Sequence, residues 1–157
     1  MDKLPTLLLA LLVPNAAGGI GALATASSVD TWYRGLRKPS WNPPGWVFGP
    51  AWTILYTMMG AASWLVSRSD SPHKDRALRL YGLQLSLNIL WSVIFFGLRR
   101  VDLALVEIAA LWGLILATLT SFYRVRPLAG LLLVPYQLWT SFAAVLNYEL
   151  WRLNHRR

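Results

Sequence analysis

Residues 39–67 read PSWNPPGWVFGPAWTILYTMMGAASWLVS, 29 residues without a single Asp, Glu, Lys or Arg. A helix needs roughly 20 mostly apolar residues to cross a ~30 Å hydrocarbon layer. This run supplies them even after its proline-rich front is set aside. Four further charge-free runs follow the same rule: 4–29, 80–98, 108–123 and 127–148, of 26, 19, 16 and 22 residues. The shortest extends back to Leu103 if Glu107 is tolerated within a span. The pattern predicts an all-α membrane protein, a single domain over 1–157. Its five transmembrane helices lie at about 4–26, 45–67, 79–97, 103–122 and 128–151, with a long structured loop between the first and second.

Composition agrees. Hydrophobic residues make up 55% of the chain and charged residues 14%, against roughly 25% charged in soluble domains. A soluble helical bundle would carry charges along one face of each helix, and these runs carry none on any face. The net charge of +8 does not mark a nucleic-acid protein. The 15 Lys and Arg gather at the ends of the apolar runs, where lipid headgroups lie, and form no stripe along a helix. Seven fall on one side of the five-span topology and eight on the other, so the positive-inside rule assigns no orientation. The chain contains no cysteine, which excludes disulfides, thiolate catalysis and thiolate-held clusters. Residues 4–13, after Lys3, have the apolar character of a signal-peptide core. Pro14, Gly18, Gly19 and Gly21 instead fit a retained, packed helix.

Prolines and small residues give the runs their local character. Proline fixes φ and drives its predecessor out of the helical region, so KPSWNPP at 38–44 predicts a stiff, extended connection. Ala17/Gly21 and Gly18/Ala22 are small pairs that let helices approach. Gly82/Ser86 offers the same on the third helix.

Few polar groups interrupt the spans: Asn15, Gln84, Asn88, Glu107, Gln137 and Asn147. Gln84, Asn88 and Trp91 share one helical face at i, i+4 and i+7. An amide turned to lipid would be unpaired, so these face inward, bonding another helix or a bound molecule. Trp52 and Tyr56 lie one turn apart on the second helix, and Trp139, Ala143 and Asn147 share a face on the fifth. Trp46, Trp64 and Trp151, near span ends, fit interface anchors. Trp52, Trp91, Trp112 and Trp139 lie deeper, and deep aromatics beside sparse amides describe a flat apolar pocket. Glu107, the one carboxylate well inside a span, is expected either to serve function or to snorkel or pair with an arginine.

Signals for catalysis are weak. His73 and His155 fall in a loop and the tail, and neither a metal-ligand spacing nor a nucleophile–base pair emerges. The stretch VLNYELWR (145–152) fits a proposed cholesterol-contact pattern through Val145 or Leu146, Tyr148 and Arg152.

Three blocks carry a resemblance: WYRGLRKPSWNPPGWVFGPAWTILY (32–56), QLSLNILWSVIFFG (84–97) and PYQLWTSFAAVLNYELWR (135–152). Together they resemble the translocator protein family, also known as tryptophan-rich sensory proteins or peripheral benzodiazepine receptors. The resemblance implies a five-helix bundle, often dimeric, in a bacterial cell-envelope membrane or the mitochondrial outer membrane. It implies binding of porphyrins (protoporphyrin IX or haem-like), cholesterol and benzodiazepine-type ligands near the first loop. By matching positions, the ligand site would be Tyr33, Trp41, Asn42, Trp52, Tyr56, Asn88, Trp91, Trp139 and Ala143. The sterol contacts would be Tyr148 and Arg152, weakened here by Glu149. Some bacterial relatives are reported to degrade porphyrin in light, with positions matching Trp52 and Trp139 implicated as catalytic. The partners implied are membrane lipid, a porphyrin or sterol-like molecule and a second copy of the chain, with no nucleic acid. Stiff prolines and indoles would then form a flat lid for a planar ring, with Arg34, Arg37 or Lys38 meeting its propionates.

Overall fold

The computed structural model describes residues 3–156. Among these residues six α-helices run in order: α1 (Lys3–Asp30), α2 (Phe48–Ser67), α3 (Lys74–Ser92), α4 (Val101–Val125), α5 (Pro127–Leu132) and α6 (Val134–Asn154). A π-helical turn, Val93–Gly97, extends α3, and short 3-10 turns at Tyr33–Gly35 and Gly45–Val47 shape the first loop. Four of the resulting segments are long and apolar enough to cross a membrane: α1, α3 with its π turn, α4, and α5 with α6. The fifth span is α2, 20 residues without a charge. Trp52, Tyr56, Trp64, Gly49 and Pro50 lower its mean hydropathy without making it polar. The protein is an integral membrane bundle of five spans.

Several boundaries differ from the sequence expectation. The first helix runs to Asp30 rather than 26 and passes through Pro14 unbroken. Proline removes the bond to the carbonyl four residues back, here that of Ala10, and this carbonyl turns onto Gly60 of α2. The third helix begins at Lys74, five residues earlier than expected, because the 69–73 loop needs only a short turn. The fifth span is two helices. Pro127 opens α5 at a position where its missing N–H costs nothing. Pro135 then withholds an N–H just after Leu133, where the helix breaks.

The helices close a ring in which α1 packs on α2, α2 on α5, α5 and α6 on α4, α4 on α3, and α3 back on α1. Bare backbone sets two of these approaches. A Cβ on Gly60 would come within 2.9 Å of the Leu11 Cα, and one on Gly130 within 2.7 Å of the Tyr123 Cα. The main core runs through Met59, Ala62, Val66, Ala77, Ile115, Phe122, Leu133 and Tyr136. A second cluster around Phe95, Ala104, Leu146 and Leu150 lies beneath the first loop. The break at Leu133 shapes the interior. The short α5 packs on both α2 and α4, whereas α6 packs mainly on α4. A gap opens between α2 and α6 at the loop end of the bundle.

Gly60→Ala is expected to push α1 off α2 and cost about 1–3 kcal/mol. Gly113→Ala, with nothing within 4 Å of the added methyl, is expected to be neutral or stabilising. Thermal unfolding in detergent checks both, and equal midpoints for the two variants would contradict the close approach at Gly60.

Candidate functional site

The gap between α2 and α6 holds a cavity of about 850 Å³, near the upper end of small-molecule sites. Its walls are aromatic because only long, flat side chains reach across the separation. Trp52 and Trp139 meet edge to face at 6.4 Å, and Phe48 meets Trp139 at 6.0 Å. Trp52 stacks on Tyr56 at 5.4 Å. On the opposite side Trp91 stacks on Phe95 at 4.9 Å, and Phe95 meets Phe96 at 4.7 Å. Gly18 completes the floor. A Cβ there would collide with the Tyr56 ring, so the glycine lets that ring lie flat against α1.

A polar relay lies beneath this floor. The Tyr56 hydroxyl donates to Asn88 Oδ1 at 2.6 Å, Asn88 Nδ2 to the Tyr136 hydroxyl at 2.8 Å, and Tyr136 to Gln84 Oε1 at 2.8 Å. Gln84 Nε2 points to Met59 Sδ at 3.7 Å. The relay crosses α2, α3 and α6. A second link runs from Trp91 Nε1 to Asn147 Oδ1, 3.0 Å, and from Asn147 Nδ2 to the Val101 carbonyl, 3.0 Å. The Gln84–Asn88–Trp91 face therefore binds helices together. Asn88 also lines the cavity, and an amide has a second N–H to offer.

The first loop is the roof. Tyr33 donates to Asn42 Oδ1 at 3.3 Å, and the Asn42 backbone amide closes a turn on the Pro39 carbonyl at 3.0 Å. Lys38 Nζ donates to the Arg34 and Leu36 carbonyls at 3.2 and 3.3 Å and sits 4.7 Å above the Tyr33 ring. Burial lowers the Lys38 ammonium from its ordinary value. Burial also raises the Tyr33 phenol, with the Asn42 bond pulling the other way, so Tyr33 remains a donor at neutral pH. The roof is anchored at its far edge by Asn154, whose side chain accepts from the Arg37 N–H at 3.0 Å and donates to the Arg37 carbonyl at 2.9 Å.

Of the residues singled out by sequence, Tyr33, Asn42, Trp52, Tyr56, Asn88, Trp91, Trp139 and Ala143 line this cavity. Trp41 does not. It is 45% exposed and rests edge-on against Phe142 at 5.8 Å, because the turn at Pro39–Asn42 sends neighbouring side chains opposite ways. Trp112 also lies outside, on the outer face of α4, where it donates to Ser141 at 2.8 Å. Tyr148 and Arg152 sit on the outward side of α6, and Glu149 holds Arg152 at 2.6 Å. Arg34 and Lys38 reach the cavity mouth, whereas Arg37 contributes backbone to the anchor. Trp46 is exposed, Trp64 bonds Thr6, and Trp151 stacks on His155. Glu107 neither snorkels nor pairs with an arginine. It is buried, and neither carboxylate oxygen has a partner among the described residues. It lies about 7.5 Å along the axis from Asp102, which Arg100 already occupies. Phe48, Phe95, Phe96 and Gly18 were not foreseen as wall residues, since apolar letters within a span carry no mark of facing a cavity.

This architecture defines a class: five-span membrane proteins with an aromatic cavity roofed by their first loop. Residues 10–152 match the TspO/MBR family. The human translocator protein is 43% identical over 147 residues, covering 92% of this chain and 87% of that one. A tryptophan-rich sensory protein of Cereibacter sphaeroides is 41% identical over 140 residues, 87% of each chain. The tryptophan-rich protein TspO of Archaeoglobus fulgidus is 41% identical over 148 residues, 94% of this chain and 96% of its own. The chain belongs to the TspO/MBR family.

Tyr136→Phe is expected to strand the Asn88 N–H and the Gln84 carbonyl, costing about 1–3 kcal/mol without altering a cavity-lining side chain. Chemical or thermal unfolding in detergent reads the loss, and an unchanged midpoint would show the relay to be dispensable.

Proposed function

We propose that this protein binds planar tetrapyrroles in the roofed cavity and acts in their sensing or transport. The observation that carries the reading is the union of flat aromatic walls with two cations at the mouth, Arg34 and Lys38, of which Arg34 lies 3.6 Å from Asp30 in an exposed pair. Indole and phenol rings bind a planar ring at low entropic cost. Arg34 and Lys38 stand where a porphyrin's propionates would emerge, in reach of charge-assisted hydrogen bonds. The walls suit a metal-free porphyrin such as protoporphyrin IX and a haem-like ring alike. The names of the relatives, translocator and sensory protein, accord with such a role. Benzodiazepine-type aromatics suit the same walls. Sterol contact at Tyr148 and Arg152 would come from the lipid side, and a second copy would pack on the outward Gly82/Ser86 face.

The alternative is an enzyme that degrades porphyrin with light and dioxygen as oxidant. The run of aromatic contacts from Trp139 through Trp52 to Tyr56 favours it as a path for an electron.

Protoporphyrin IX is expected to quench tryptophan fluorescence, with Trp52→Phe or Trp139→Phe weakening the binding. Neutralising Arg34 and Lys38 together should lower affinity about ten-fold for the free acid and leave the dimethyl ester unaffected. Equal affinities across all these variants would place the guest elsewhere. Illumination of the complex in air separates the two roles: porphyrin loss no faster than in detergent alone removes the enzyme.

A further inference from the structure

A second cavity, about 660 Å³, lies on the outer side of the same loop. Consecutive residues divide the two spaces, Trp32 lining the outer and Tyr33 the inner, because the 3-10 turn at 33–35 sends neighbouring side chains apart. The outer cavity sits where the spans end, between Gly97 and Val101 and at the last turn of α6. That is headgroup depth for a bundle of this length. Trp32, Leu36, Val101 and Trp151 form its apolar side, and Trp151 stacks on His155 at 4.7 Å and 19°.

Arg99 is its unusual member. It holds φ +56°, the left-handed region, alone among the described non-glycine residues. Bonds from the Leu98 amide to the Val93 carbonyl, 2.9 Å, and from the Arg100 amide to the Ile94 carbonyl, 3.1 Å, fix it there. Glycine is the usual residue at such a helix end, and an arginine pays in strain. Strain of this kind gathers at ligand clamps. Among the described residues Arg99 has no ion-pair partner. Among the described residues the cavity's one carboxylate, Asp102, is held by Arg100 through two bonds of 2.9 and 2.7 Å, so it does not cancel Arg99.

We propose that the outer cavity is a site for the headgroup of an anionic glycerophospholipid, with the phosphodiester on Arg99 and the glycerol against Trp32 and Leu36. A guanidinium matches a phosphate with paired donors. Arg156, next to the lining residue His155, adds positive charge at this end of the bundle, so a headgroup without its own cation is the better fit. The lipid would brace the roof of the ligand cavity from outside.

The test is the full chain in phosphatidylcholine nanodiscs with rising phosphatidylglycerol, retained lipid being counted by native mass spectrometry. Arg99→Gly removes the guanidinium and relieves the backbone, so its unfolding midpoint should hold or rise while phosphatidylglycerol binding falls about five-fold. Arg99→Asn, which tolerates the same backbone, should repeat the loss, and Arg99→Lys should restore most of it. Arg79→Gln, a like charge removed at the opposite end of the bundle, should change nothing. Parent-like binding in Arg99→Gly, or an equal loss in Arg79→Gln, overturns the proposal. So does full displacement of the lipid by soluble glycerol phosphate, which would make the cavity a free-phosphate site.

Discussion

The Tyr136 hydroxyl sits at the centre of the bundle, accepting from Asn88 and donating to Gln84. In a hydrocarbon interior each of these groups must find a protein partner, because no water stands ready to take its place. The relay satisfies four side chains at once, and in doing so sets the spacing of α2, α3 and α6. Apolar packing between spans cannot do this alone, since lipid tails are as good a solvent for leucine as a neighbouring helix is. The polar chain fixes where the helices stand, and the small residues Gly60 and Gly130 fix how closely they approach.

From that spacing the cavity arises. The break between α5 and α6 lets the short first part of the fifth span pack on α2 as well as α4, while the long remainder packs mainly on α4. Rings of Trp52, Trp139 and Phe48 bridge the opening, and the Asn88 amide reaches its floor. The roof is held by its own hydrogen bonds and by the two-bond clamp of Asn154 on Arg37. This one loop separates a cavity inside the bundle from one at its outer end.

Much of the site was legible in the letters. Trp52 with Tyr56, Asn88 with Trp91, and Trp139 with Ala143 fall at helical spacings, and the family resemblance carried Tyr33 and Asn42. Trp41 and Trp112 were misplaced for a common reason. The tryptophan letter announces a large flat side chain but not its azimuth, and a turn or a few tens of degrees of helix rotation turns it outward. Glu107 escaped for a different reason: snorkelling needs a nearby helix end, and the end it might have reached is taken by the Arg100–Asp102 pair.

The sequence by itself determined the membrane, the number of spans and the extended course of the first loop, because these depend on local quantities: run length, charge placement and proline's fixed φ. Only the tertiary structure decided which amides bond to which helices, where the fifth span divides, and that one loop separates two cavities. Those outcomes turn on distances between residues far apart in the chain, and no local pattern records them.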